Sequence, residues 1–189
     1  TTVFVTHAQE EAMSISDSIL LMKDGFFVQE GLCQNLYVNP VNKFVSDFIG
    51  NPPVNNIPCT VKEIISAEKI VLNIENTSCE IKLNVTPKEQ PAAGQKLILA
   101  VRPESFVLNE KAGENTFAVK ADRISEMGKD RIVYANPLSK DMNSSEKTLI
   151  ELRTILSSDY EIAEGQEINL SLKQKGVFLF EEETGKRLA

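Results

Sequence analysis

The hydrophobic spacing of the chain changes once along its length, near residue 50. Before that point, Val3, Phe4 and Val5 form a short apolar, β-branched run, which predicts a buried strand covered on both faces, as in a parallel sheet. Ala8 to Ser16 follows at helical spacing, with Ala12, Met13 and Ile15 free to face inward. Gln9, Glu10 and Glu11 fall in its first turn, where carboxylates favour the positive end of the helix dipole. Ser18 to Lys23 predicts a second strand, and Asp24-Gly25 a tight hairpin turn before Phe26 to Gln29, closed by Gly31. Leu32 to Tyr37 and Asn42 to Ile49 predict two short helices split by Asn39-Pro40, because Phe44, Val45, Phe48 and Ile49 recur at helical spacing. Gly50 suits a helix C-cap.

Residues 51–58, NPPVNNIP, hold three prolines and three asparagines and predict a linker. The boundary divides the chain into 1–50 and 59–189. Beyond it the pattern alternates, and Thr60 to Ile65, Lys69 to Ile74, Ser78 to Val85, Gln95 to Val101, Thr116 to Ile124, Arg131 to Ala135, Lys147 to Leu152, Glu167 to Leu172 and Gly176 to Phe180 all read as strands. Such spacing predicts an all-β half, a small barrel or a pair of them. This half also echoes itself. Ala92 to Leu108 aligns with Ala163 to Phe180, so that Gly94-Gln95 matches Gly165-Gln166, and Cys59 to Ile74 resembles Phe117 to Ala135. Two matches in the same order predict a duplicated β architecture with one shared core or two adjacent ones.

Composition narrows the function. The chain has 189 residues with 42% hydrophobic and 25% charged, an ordinary globular make-up. A net charge of -7 repels phosphate backbones, which argues against a nucleic-acid partner. Cys33, Cys59 and Cys79 are odd in number and far apart, which predicts idle thiols in a reducing cytosol rather than a disulfide framework or a zinc half-site. No apolar run is long enough to span a membrane and no export signal precedes the first strand, so a soluble chain is expected. No metal site is expected: residues 122–129 lack the spaced oxygen ligands of a calcium loop, and the carboxylates Glu181, Glu182 and Glu183 read as a solvated turn. Arg102 and Glu104, at the end of a strand, are expected to form a local ion pair.

His7 is the only histidine of the chain and is placed at the junction of the first strand and the first helix, where open α/β sheets bind ligands. VFVTHAQEEAM followed by SDSILLMKDGFFVQEG resembles the switch-histidine region of ATP-binding-cassette (ABC) ATPase subunits. LYVNPVNKFVSDFIGNPPVN is similar to the end of the nucleotide-binding domain in the carbohydrate-importer branch, the maltose and glycerol-phosphate type. LAVRPESFVL and VFLFEEETGKRL are similar to two landmark segments of that branch's C-terminal transport-associated, oligonucleotide-binding-like (TOBE, OB-like) regulatory domain.

The resemblance implies a mainly β chain with a small α/β remnant: residues 1–50 as the C-terminal remnant of an ABC nucleotide-binding domain, 51–58 as linker, and 59–189 as a duplicated OB-like β-barrel domain. It implies a C-terminal fragment of the ATP-binding subunit of a carbohydrate importer, with ATP and magnesium as cofactors of the intact subunit and His7 as the switch histidine at the ATP γ-phosphate. It implies a homodimer through the β domain, transmembrane permease subunits and a regulatory protein as partners, and a cytoplasmic position on the inner face of the cell membrane. The family usually has an aspartate after that histidine, whereas Ala8 stands here. The sequence carries no GxxxxGK[ST] phosphate loop, no LSGGQ-like signature and no magnesium-binding acidic strand, so no cofactor and no activity are expected of this chain alone. A rival reading is a free-standing tandem β-barrel module that binds a small ligand such as an oxyanion.

Overall fold

Among the described residues beyond residue 54, ten antiparallel strands, divided into two copies of one five-strand unit, account for most of the chain. The computed structural model describes residues 2–85, 89–113, 115–138 and 150–189. In the first copy are β3 (Asn55–Ser66), β4 (Lys69–Ile74), β5 (Glu80–Asn84), β6 (Lys96–Val101) and β7 (Phe106–Asn109). The second holds β8 (Thr116–Met127), β9 (Asp130–Pro137), β10 (Leu152–Ser157), β11 (Glu167–Leu172) and β12 (Val177–Glu181). The two sheets run β12-β6-β3-β4-β5 and β10-β9-β8-β11-β7. Each copy therefore supplies four strands to its own sheet and lends its fifth to the other.

The duplication extends to single hydrogen bonds. Val61 N–H donates to Gln95 O and Gly94 N–H to Val61 O; in the second copy Ala121 N–H donates to Gln166 O and Gly165 N–H to Ala121 O. Each glutamine also accepts at Oε1 from the backbone N–H three residues before it, Ala92 or Ala163. Both turns need a left-handed residue, and Gly94 (φ +81°) and Gly165 (φ +85°) supply it. The first strand of each copy shifts register at matching places, between Val61 and Glu63 and between Ala121 and Arg123, and β3 shifts once more between Ile64 and Ser66.

Alternation along the strands sorts the side chains. Val61, Leu72, Leu97 and Leu99 of one sheet and Val119, Val133, Leu152 and Leu170 of the other meet in one shared core. On the opposite face of the first sheet, Ile98, Ala100, Phe178 and Phe180 form a second apolar cluster with Val54. The equivalent outward positions of the other sheet are Asn169, Ser171, Val107 and Asn109, none of them fully buried. Only one outer face is thus built to be covered, and the N-terminal segment lies against its edge: Lys43 N–H donates to Gly185 O, and Arg187 Nη1 donates to Asn39 Oδ1 and Pro40 O.

That segment holds α1 (Gln9–Ile15), the hairpin β1 (Ile19–Lys23) and β2 (Phe26–Gly31), α2 (Cys33–Val38) and α3 (Lys43–Phe48). Asp24 (φ +50°) and Gly25 (φ +83°) make the expected hairpin turn. Asn42 caps α3, accepting from Val45 N–H at 3.0 Å. Leu21, Leu36, Val45 and Ile49 form a small core of their own.

Several expectations need correction. Val3, Phe4 and Val5 form no strand; they are coil, 85%, 58% and 90% exposed, because no neighbouring strand covers them. Among the described residues the N-terminal part accordingly contains an antiparallel hairpin and no parallel sheet. Met13 and Ile15 face outward, and α1 buries no residue. β3 starts at Asn55, inside the segment expected to be a linker. The strand expected at Lys147 to Leu152 lies partly outside the described residues; the strand found there starts at Leu152, where Leu152, Thr154 and Leu156 alternate inward.

Candidate functional site

His7 is an exposed residue of the coil that precedes α1, and among the described residues it makes no hydrogen bond. Its surroundings are nonetheless held in place. Thr6 Oγ1 accepts from Ala8 N–H at 2.9 Å, which shapes the entry to the helix. Two residues after His7, the Gln9 amide reaches across to Gly50: Oε1 accepts from Gly50 N–H at 2.9 Å, and Nε2 donates to Gly50 O at 3.4 Å. Asn51 Nδ2 donates to Glu10 Oε1 beside it.

Gly50 in turn lies against Arg102, at the end of β6. Among the described residues Arg102 is the largest fully buried side chain, and it has no carboxylate within salt-bridge distance. Its guanidinium instead takes up carbonyls that the two short helices leave unpaired. Nη1 donates to Ser46 O at 3.0 Å and to Ile49 O, and Nη2 donates to Tyr37 O at 3.0 Å. The Tyr37 ring packs 4.0 Å from the guanidinium carbon and the Phe178 ring 5.7 Å from it. Tyr37 Oη donates to Glu104 Oε1 at 2.6 Å, so Glu104 binds the helical segment rather than Arg102. Burial lowers the Arg102 pKa, and burial together with the Glu104 bond raises that of the Tyr37 hydroxyl. The expected local ion pair is therefore absent; both side chains clamp residues 37–50 onto the β half.

The equivalent of Arg102 in the second copy is Lys173, which is exposed and donates from Nζ to Glu104 O at 2.8 Å. The two crossover links run side by side, with Arg102 N–H donating to Gly176 O and Lys173 N–H to Ser105 O. An arginine closing an alternating strand gave no sign in the sequence of being the anchor. The usable signal was the contrast with Lys173 at the matching place of the repeat.

A recess of about 260 Å³ lies where the edge strands β5 and β12 approach each other, lined by Leu83, Val85, Leu179, Leu188 and the half-buried Arg187. Glu182 and Glu183 form the exposed turn expected of the three carboxylates, whereas Glu181 is half-buried as the last residue of β12. Of the residues implied to meet ATP in the intact subunit, this chain carries His7. His7 stands alone in coil, and among the described residues no group of three His, Cys, Asp or Glu side chains is placed to hold a metal ion.

No family model matches the chain. In sequence it is similar to the ATP-binding proteins of import systems. Specifically, it is 38% identical over 115 residues to the spermidine/putrescine import ATP-binding protein PotA of Escherichia coli (strain K12), an alignment that covers 61% of this chain and 29% of that protein. It is 39% identical over 110 residues to the protein of the same name from Photobacterium profundum, covering 58% and 28%. The alignments thus span less than a third of the length of these curated relatives. Among solved structures it is similar to the cytoplasmic molybdate-binding protein ModG, at 14% identity and a TM-score of 0.49, covering 66% of this chain and 94% of that one. That likeness is too low to carry an argument about ligand.

Proposed function

We propose that these residues serve in the ATP-binding subunit of an ABC importer, where residues 1–50 contribute His7 to a nucleotide site completed by other residues, and residues 59–189 act as a regulatory, dimerising β module. The observation that carries this reading is the 38% identity to an import ATP-binding protein over 115 residues. In that setting His7 holds geometry and stabilises charge developing at the transferred phosphate. No hydrolytic step follows for this chain by itself.

The sequence resemblance points to a carbohydrate as cargo, whereas the relatives are named for spermidine and putrescine; of the two classes we put forward a polyamine. The cargo would be selected by permease partners in the membrane. Among the described residues no helix is long and apolar enough to cross it, so the chain would sit at the inner face through those subunits. A second copy pairing through the β half and a regulatory protein complete the proposed assembly.

The test is a chimera in which this chain replaces the matching part of the Escherichia coli relative, assayed for spermidine uptake in cells lacking that relative. Uptake of the parental order is expected, with His7→Ala lowering it about 100-fold. A folded chimera without uptake counts against the reading. Saturable molybdate binding by the chain alone would favour the rival small-ligand module.

A further inference from the structure

We infer that Gln9 and Gly50 form a relay that ties the position of the His7 segment to the seating of the β half on Arg102. Its purpose rests on the functional reading of His7 given above; the mechanical connection does not. Three contacts compose it. The Gln9 side chain binds both the N–H and the C=O of Gly50. Gly50 is buried at φ +131°, and a Cβ built there would lie 2.8 Å from Arg102 Nη1 and 3.0 Å from the Tyr37 ring. Arg102 Nη1 holds Ile49 O, the carbonyl of the peptide that bears the Gly50 N–H.

The backbone of residue 50 is therefore gripped from two sides, by a side chain of α1 and by the side chain of Arg102, directly after β6. A glycine is required because any Cβ would occupy the space between ring and guanidinium, and because φ +131° disfavours an L side chain. On the α1 side little else holds the helix: it buries no residue, and its apolar side chains Met13 and Ile15 are 37% and 65% exposed. Besides Gln9, α1 is tied to this region by Asn51, which donates to Glu10 in an exposed pair. Loss of the Gln9 bonds thus frees α1, and with it the coil carrying His7, from whatever the β half is doing. Displacement of Arg102 transmits to the same place through Ile49 and Gly50. Gln9 is in this sense a positioning residue: it touches no substrate and acts on His7 through the backbone.

The lone histidine makes the test direct, since the imidazole of His7 gives a single, unambiguous NMR signal in this chain. Hydrogen exchange at Gly50 N–H and at Ala12 and Ser16, whose N–H groups close α1, gives the second readout. Gln9→Ala is expected to raise exchange at all three about five- to tenfold while the strands of the shared core keep their protection. Arg102→Lys should shift the His7 signal and raise α1 exchange as well, and in the Gln9→Ala background it should have no further effect on either. If Arg102→Lys alters Gly50 yet leaves α1 and His7 unchanged, or if its effect on His7 survives in the Gln9→Ala background, the relay is overturned. Should Arg102→Lys not fold, Glu104→Gln, which weakens the grip on Tyr37, takes its place with the same two outcomes. None of these measurements involves nucleotide or transport, so they stand apart from the success or failure of the importer reading.

Discussion

Asn55 on β3 and Arg153 on β10 are joined by a side-chain amide that imitates a rung of a β ladder across the two sheets. Asn55 Oδ1 accepts from Arg153 N–H at 2.7 Å, and Nδ2 donates to Arg153 O at 2.8 Å and to Val101 O at 3.0 Å. The residue is 2% exposed, so water cannot replace these bonds. Asn55→Ala is expected to cost about 2–4 kcal/mol in urea unfolding, because it strands one donor and two acceptors. Asn55→Asp should cost more, since a carboxylate faces two carbonyl oxygens with nothing to donate. An aspartate variant as stable as the alanine one would show that the bridge is not what holds this edge.

The thiols set an alkaline limit. Burial pushes Cys59 up to about 12 and Cys79 up to about 11 from an ordinary value of 9.0, with Glu80 adding to the shift at Cys79. A group whose folded value is raised favours the folded state fully below its unfolded value and loses that contribution as pH rises through the folded one. Stability from these groups is therefore complete below about pH 9 and declines towards pH 11–12. Urea midpoints measured at pH 8 and 10.5 should fall, and Cys79→Ala should flatten the decline; an unchanged slope refutes the assignment.

The glycines separate space from backbone. Gly94 and Gly176 have nearly the same positive φ, but a Cβ at Gly94 meets nothing within 4 Å, whereas one at Gly176 would lie 2.3 Å from Ser105 Oγ and 3.2 Å from Arg102 Cβ. Gly94→Ala should cost about 1 kcal/mol and Gly176→Ala about 3 kcal/mol or more, as read by thermal or urea unfolding. Equal costs would mean that the crossover link can shift to accept a methyl group.

Phe26 and Phe27 are 77% and 73% exposed on the β1–β2 hairpin and offer a second route to self-association. If copies pair through the β half as proposed, Phe26→Ser/Phe27→Ser leaves the sedimentation equilibrium of a dimer in place. Conversion to monomer would locate the contact on the hairpin instead.

Local turn chemistry was the most legible part of the fold. Asp24-Gly25 and the Gly94-Gln95 and Gly165-Gln166 pairs each announce a backbone conformation that only a few residues supply. Val3 to Val5 misled, because an apolar run states what would be buried given a neighbour and says nothing of whether the neighbour is there. Arg102 misled for the opposite reason: its partners are main-chain carbonyls of residues 37, 46 and 49, which carry no signature in the side-chain sequence. The exchange of fifth strands was hidden as well, since an echo in sequence marks a repeat but not which copy each strand joins. What the echo does hold is the contrast between Ile98, Ala100, Phe178 and Phe180 and their polar mates Asn169, Ser171, Val107 and Asn109, with only Val107 apolar among the latter.

The exchange of strands also governs the order in which the molecule can assemble. Leu108 pairs with Leu170, and Leu179 with Leu99, so the second sheet is incomplete until β11 has been made and the first until β12, the last strand. During synthesis the first copy leaves the ribosome with the open edge of β6 lacking its partner and with β7 lacking a sheet to join. Such a chain gains its cooperativity late, from contacts distant in sequence, and folds slowly for its size.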